Sequence, residues 1–411
     1  MTDAFGLSLD VTRKHLKTWS ADTQTTAVSQ PAGSNRNQQT DAPFFKGKLV
    51  AAIPKSVQTK PGGRGFRRAE TASEAAQQEL RPPKQATRPV AEVAPLLRPL
   101  NRPKIPVPAF TDGFAIDAAQ TIVILGGTNA LESGRYGYLE TLHTAAHPQH
   151  QVRLRTLAWQ ADTVYQQQRP RNFYEANKPE YGERDGRERI SADIVFFWMG
   201  QTESLDGPQR IGEFTAAYSK HLDQISGYTK RIVLVTPVPF SNPLHLEIDL
   251  NKRRQSHAIY ADAIRKLGRD RQLPVVDLAK AFGSGDASFP HSRNGLYLLS
   301  GGHWSAAHAF ASQLGCADRV TSIKWFDSNA ALEPASAESL RQAIRQKNEH
   351  WFRYWRPTNW AFLYGNRQTQ PSSRDHINRS RRWFPEELQK ALTHLHKAEK
   401  RIHKAAKESK Y

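Results

Sequence analysis

Hydroxyls at Thr128, Thr202 and Ser300, an imidazole at His303 and carboxylates at Asp162 and Glu203 fall in four short segments of a 411-residue chain. The segments are Gly126-Gly127-Thr128-Asn129, Ala161-Asp162-Thr163, Gly200-Gln201-Thr202-Glu203 and Ser300-Gly301-Gly302-His303. A hydroxyl beside an imidazole is equipment for acyl transfer. The imidazole takes the proton as the oxygen attacks, and nearby N–H or O–H donors hold the developing oxyanion.

Residues of these types must be brought to one place by regular elements. Thr121-Ile122-Val123-Ile124-Leu125 is an unbroken apolar run, as expected of a parallel strand buried on both faces. Gln151–Leu157 alternates like a strand, and Ala192–Met199, Arg231–Val235 and Pro274–Leu278 read as three more. Between them Tyr136–His147, Gln209–Tyr228, His245–Leu267 and Trp304–Leu314 have helical period. Strands alternating with helices imply a parallel sheet with right-handed crossovers. The fold class is therefore α/β: three layers, α/β/α, about a parallel five-stranded sheet, with a disordered N-terminal extension and a C-terminal helical extension. The four segments sit at strand ends or helix starts, where open α/β sheets place their sites.

The blocks, in this order and spacing, resemble the SGNH (GDSL-like) hydrolase superfamily over about residues 120–318, which implies its flavodoxin-like fold and an ester-hydrolysing activity. The resemblance makes Thr128 the nucleophile position, preceded by Gly127 in place of an Asp and followed by Asn129. It makes Ala161 the position of an oxyanion-holding Gly, Thr202 that of an oxyanion-holding Asn, and Glu203 a replacement for the acidic residue after it. Ser300 stands where an Asp would orient the base, and His303 is that base. Every block but the last residue has thus been altered. Thr128 keeps a hydroxyl but adds a methyl that stiffens it. Ala161 keeps its N–H, Thr202 keeps one donor, and Ser300 cannot stabilise an imidazolium as a carboxylate does. Asp162 and Glu203 are candidate replacements for the missing carboxylate, with helix-turn capping as the rival role for Asp162.

A divergent bacterial branch of the superfamily looks similar in these blocks and carries a C-terminal stretch like Lys347-Asn348 through Arg356-Pro357-Thr358-Asn359-Trp360. By that resemblance Lys347, Asn348, Arg356 and Asn359 are candidate substrate contacts. Leu340–Tyr354 reads as a helix and Arg356–Arg367 as an aromatic-rich loop; aromatics interleaved with arginine suit either stacking on a ligand or docking of that helix on the core. His143, His147 and His150 have helical spacing, but packing explains them better than a metal. No cofactor or metal is expected.

The formal charge of +19 is uneven: residues 1–110 carry +9, residues 371–411 carry +6, and the 260 residues between carry only +4. The domains read as a basic, Pro-rich extension over 1–110, with a short helix near Leu7–Trp19, an SGNH hydrolase-like domain over 118–330, and a helical, aromatic and basic extension over 331–411. Gln166–Arg189 reads as a polar insertion, either a lid or a surface excursion. Phe384–Tyr411 is a basic helix whose Leu388, Leu392, Leu395 and Ile402 share one face. Cys316 is the only cysteine, so no intramolecular disulfide forms. No run approaches the roughly 20 apolar residues that span a bilayer, and the start shows no signal peptide; a cytoplasmic protein is the expectation.

Three functions follow as expectations. The first is an ester hydrolase acting on carbohydrate or small acyl esters. The second is a catalytically inactive relative that binds a small-molecule ester or glycan ligand. The third is weak polyanion binding by the basic termini. Oligomeric state is not legible in the sequence.

Overall fold

The computed structural model describes residues 106–165, 192–242, 249–283, 291–292, 294–326, 330–363 and 366–409. The expected helix near Leu7–Trp19 and the insertion at 166–189 lie outside the described residues.

Five parallel strands form the central sheet: β1 (Thr121–Gly126), β2 (Arg153–Thr156), β3 (Ile194–Trp198), β4 (Ile232–Val235) and β5 (Val275–Val276). Their order is β2-β1-β3-β4-β5, and every pairing is parallel. Alternate side chains point to opposite faces of a strand. Ile122, Ile124, Phe196, Trp198 and Val233 enter one core, while Val123, Leu125, Val195, Phe197 and Leu234 enter the other. That is why β1 and β3 read as unbroken apolar runs: both faces are covered.

On the first face lie α1 (Thr128–Tyr136), α2 (Tyr138–Ala146) and α6 (Ser300–Gln313); on the second lie α3 (Ile211–Ser226) and α4 (Asn251–Asp270). A short α5 (Leu278–Ala281) follows β5. The helix expected over Tyr136–His147 is α2, and Gly137, whose φ is +79°, separates it from α1, which the apolar period did not show. Between β1 and α1, Gly126 permits close approach: a Cβ there would stand 2.4 Å from the Trp198 carbonyl oxygen.

The C-terminal segment is not an appendage. A hairpin, β6 (Lys324–Phe326) with β7 (Ala331–Glu333), straddles the boundary expected at residue 330. It leads into α7 (Ala335–Trp355), then the short α8 (Trp360–Leu363) and the long α9 (Trp383–Glu408). Ala337, Leu340 and Ile344 of α7 belong to the first core, and Trp351, Tyr354 and Trp355 to the second. Helix α7 therefore crosses from one face to the other past the edge strand β2, and Leu388, Leu392 and Leu395 of α9 pack with it. The edge is sealed by polar contacts too. Trp351 Nε1 donates to the Thr156 carbonyl at 3.0 Å, His403 Nε2 lies 3.1 Å from the Val152 carbonyl, and Arg155 pairs with Glu399. Covering an edge strand in this way removes a template for unwanted pairing.

The domain also begins earlier than composition implies. Val107 exchanges backbone hydrogen bonds with Tyr228 and Lys230, and Phe110 packs on Phe114 beneath the Arg231 guanidinium. Residues 107–110, assigned by composition to the extension, thus join the fold. No described helix is long and apolar enough to cross a membrane.

Candidate functional site

Thr128 is the first residue of α1, where unpaired N–H groups and the helix dipole favour negative charge. Its Oγ1 accepts a hydrogen bond of 3.1 Å from the Ala161 backbone N–H. The segment supplying that N–H is pinned by Trp159 N donating to the Gly126 carbonyl, and it turns at Ala161, whose φ is +54°. Only glycine adopts that region without strain. Ala161→Gly is accordingly expected to stabilise the chain by about 1 kcal/mol, read as a higher urea midpoint with an unchanged slope; a lower midpoint contradicts the strain assignment.

Glu203 opens a short 3-10 helix at the end of β3 and is buried. Its two carboxylate oxygens accept from Val164 N at 2.9 Å and Gly200 N at 3.0 Å. Burial pushes its carboxyl up to about 7, against the pull of these backbone donors and with help from the neighbouring Asp162 charge. Asp162 is itself buried. Thr128, Asp162, Thr202, Glu203 and Tyr297 line one cleft whose volume is about 20 Å³, room for a water or a methyl group.

Tyr297 reaches this cleft because two amides hold its loop. Asn129 is buried; its Nδ2 donates to Gln201 Oε1 at 2.7 Å and to the Leu296 carbonyl at 3.0 Å, and its Oδ1 accepts from Leu298 N. Gln201 Nε2 donates to the same Leu296 carbonyl at 2.9 Å. Asn294 Oδ1 caps the turn by accepting from Leu296 N and Tyr297 N. Asn129 thus holds a loop, with both ends of its side chain committed.

His303 is elsewhere. It lies in the first turn of α6, is 3% exposed, and stacks on the Tyr136 ring at 4.4 Å between centroids. Neither ring nitrogen has a hydrogen-bond partner among the described residues, and burial drops its pKa to about 3. Tyr136 ends the helix that Thr128 begins, and eight steps of 1.5 Å separate the two along the axis by about 12 Å. The expected hydrogen bond between Thr128 and His303 is not formed, and His303 does not line the cleft. Ser300 does not orient it either: its Oγ lies 2.7 Å from the Tyr138 hydroxyl, which donates to the Ala330 carbonyl, so Ser300 is the donor of that pair.

The missed residue is Tyr297, three positions after Asn294. Asn294-Gly295-Leu296-Tyr297 keeps the four-residue spacing of the last block, six residues upstream, and its Asn-Gly start is a turn signal. That repeat is the sign by which it could have been found.

The four C-terminal candidates are also away from the cleft. Lys347 is buried and paired with Glu140 Oε1 at 2.6 Å. Asn348 Nδ2 donates to the Gly134 carbonyl and to Glu140 Oε2. Arg356 lies over the rings of Trp159 and Phe352 and donates to the Ala158 carbonyl. The Asn359 carbonyl accepts from Phe362 N and Leu363 N, starting α8. His143 is buried against Phe114 and Phe196, a core role.

No family model matches the chain, and no curated protein matches it in sequence. Solved structures similar to it include LAE5, an alpha/beta hydrolase enzyme from the metagenome of Lake Arreo, Spain, with a TM-score of 0.37 and 17% identity over 49% of this chain and 98% of that one. Another is Axe2, an acetylxylan esterase from Geobacillus stearothermophilus, with a TM-score of 0.38 and 15% identity over 49% of this chain and 96% of that one. Both of these neighbours are hydrolase enzymes.

Proposed function

We propose that this chain is an ester hydrolase acting on short acyl esters, with Thr128 at the reacting centre and a carboxylate as proton acceptor. One observation carries the reading: Glu203, its carboxyl raised to about 7, lines the same cleft as a helix-terminal hydroxyl that meets a backbone N–H. A carboxyl near neutrality is suited to general base work. The Ala161 N–H and the start of α1 would hold an oxyanion, and Asp162 would keep the Glu203 proton affinity high. The small volume suits the methyl of an acetyl group, and Thr202 and Tyr297, which carry hydroxyls, line the same cleft.

A second reading is binding of an acylated sugar without turnover. Tyr297 favours it, because a tyrosine lines the cleft where the motif pattern has a histidine.

The test is hydrolysis of p-nitrophenyl acetate and of an acetylated xylo-oligosaccharide by the full chain. Thr128→Ala and Glu203→Gln are each expected to lower kcat/KM by about 100-fold or more, while His303→Gln stays within about threefold. Wild-type kcat/KM should climb as pH rises through about 7, as Glu203 loses its proton. Loss of turnover in a folded His303→Gln protein overturns the carboxylate reading. Saturable binding of the oligosaccharide with no turnover establishes the second reading instead.

A further inference from the structure

A separate cavity of about 310 Å³, in the range that holds small molecules, lies between the last turn of α1 and the C-terminal half of α7. Its wall is strongly basic. Arg135 from α1, Arg345 and Arg353 from α7, and Arg356 just beyond α7 all line it. Among the described residues on the wall, Glu349 is the one carboxylate, and it engages Arg353 only at 3.9 Å with both side chains about 70% exposed. Such a pair is loose.

Three of the arginines, Arg135, Arg345 and Arg356, have further contacts. Arg135 is braced by Glu132 at 2.9 Å, and Arg345 Nε donates to the Arg135 carbonyl at 3.0 Å. The guanidiniums of Arg135 and Arg356 both lie over the ring of Phe352, at 5.4 and 4.9 Å from its centroid. Phe352 therefore gathers two guanidiniums, of which Arg135 is also paired with Glu132. Arg345 spends one N–H on a backbone carbonyl; a guanidinium carries five. Preorganised, planar donors of this kind recognise oxyanions in bidentate fashion.

We infer that this cavity is a binding site for a small organic anion, a sugar-sized molecule bearing a phosphate, sulfate or carboxylate held by Arg135, Arg345 and Arg356. The site goes beyond the ester-hydrolase reading and does not depend on it: α1 lends its first turn to the cleft and its last turn to the cavity.

Calorimetric titration of the full chain with glucose 6-phosphate, inorganic phosphate, sulfate and glucuronate tests it at low salt. At least one of these probes is expected to bind with a Kd below about 1 mM. The double variant Arg135→Gln/Arg345→Gln should weaken that binding at least about tenfold. A double variant at exposed charges elsewhere, Lys220→Gln/Lys230→Gln, should leave it unchanged, as should Thr128→Ala. Tight inorganic phosphate or sulfate binding assigns the site to the tetrahedral anion; preference for glucuronate assigns it to a carboxylate. Absence of binding by all four probes up to about 10 mM, or equal weakening in the two double variants, overturns the inference. Because the readout is binding and persists in Thr128→Ala, it stands or falls separately from turnover.

Discussion

Glu399→Ala is expected to destabilise this chain by roughly 3–5 kcal/mol, enough to bring a typical domain close to unfolding. The partner of Glu399 is Arg155, on edge strand β2, with side chains 10% and 4% exposed respectively. Burial pushes the Glu399 carboxyl up, but the adjacent Arg155 guanidinium outweighs it and holds the carboxyl below its usual value. Removing Glu399 takes away the carboxylate that offsets part of the desolvation of this buried guanidinium, which also meets the Leu154 carbonyl and the Trp351 ring. The controlling experiment is the double variant Arg155→Leu/Glu399→Leu. A buried pair replaced by apolar groups of similar volume is often neutral or stabilising, so this variant should recover most of the loss in urea unfolding. If both variants are equally unstable, packing of α9 rather than the charge pair holds β2. The sign in acid is also set: a carboxyl with depressed pKa contributes stability above its unfolded value, and that contribution is lost as pH falls through the folded one.

A steep loss of stability between pH 6.5 and 4.5 is the second large effect. Burial lowers His143 to about 3, His257 to about 4 and His303 to about 3. In the unfolded chain each takes up a proton near pH 6.5, so the unfolded state binds more protons below that pH and stability falls as pH falls. Glu203 acts in the opposite direction. Raised to about 7, it keeps a proton in the fold that the unfolded chain has lost above its ordinary carboxylate range. Three histidines against one glutamate leave two net protons, or about 3 kcal/mol per pH unit over this window. The chain should therefore unfold in mild acid, well above the range where exposed carboxylates titrate. His143→Leu, which keeps an apolar neighbour for Phe114 and Phe196, should move the acid transition to lower pH. A urea midpoint that stays flat from pH 7 to 5 would rule out neutral, buried histidines as the cause.

Much of the frame was legible in the residues alone, for a physical reason. A strand buried on both faces must be apolar at every position, and Ile122–Leu125 and Ile194–Trp198 are so. Their placement followed, as did the alternation of strands with helices and the parallel sheet. The hydrophobic face of α9 was also readable, because Leu388, Leu392, Leu395 and Ile402 recur at helical spacing and are buried in the fold. Local turn chemistry was read less well: the helix Thr128–Tyr136, which Gly137 ends, was not read as one.

The occupants of the cleft belong to another class of fact. Thr128, Asp162, Thr202 and Glu203 were identifiable because strand ends in a parallel sheet converge on one edge. Whether position 297 or position 303 lines the cleft with Thr128 was not, since it turns on where α6 starts. With Ser300 as its first residue, His303 falls on a buried helical face against Tyr136, and the loop before it is free to enter the cleft. That loop is fixed by Asn129 and Gln201, residues 167 and 95 positions from Leu296 in the chain. Side-chain hydrogen bonds across such separations leave no periodicity to read. The same holds for the seal over β2, where Arg155 meets Glu399 across 244 residues. The sequence by itself determined the sheet, its two cores, the edge where a site forms and the strand-end residues that line it, because burial is written in local pattern; the tertiary structure alone decided that Tyr297 and not His303 joins them, because that choice depends on long-range geometry.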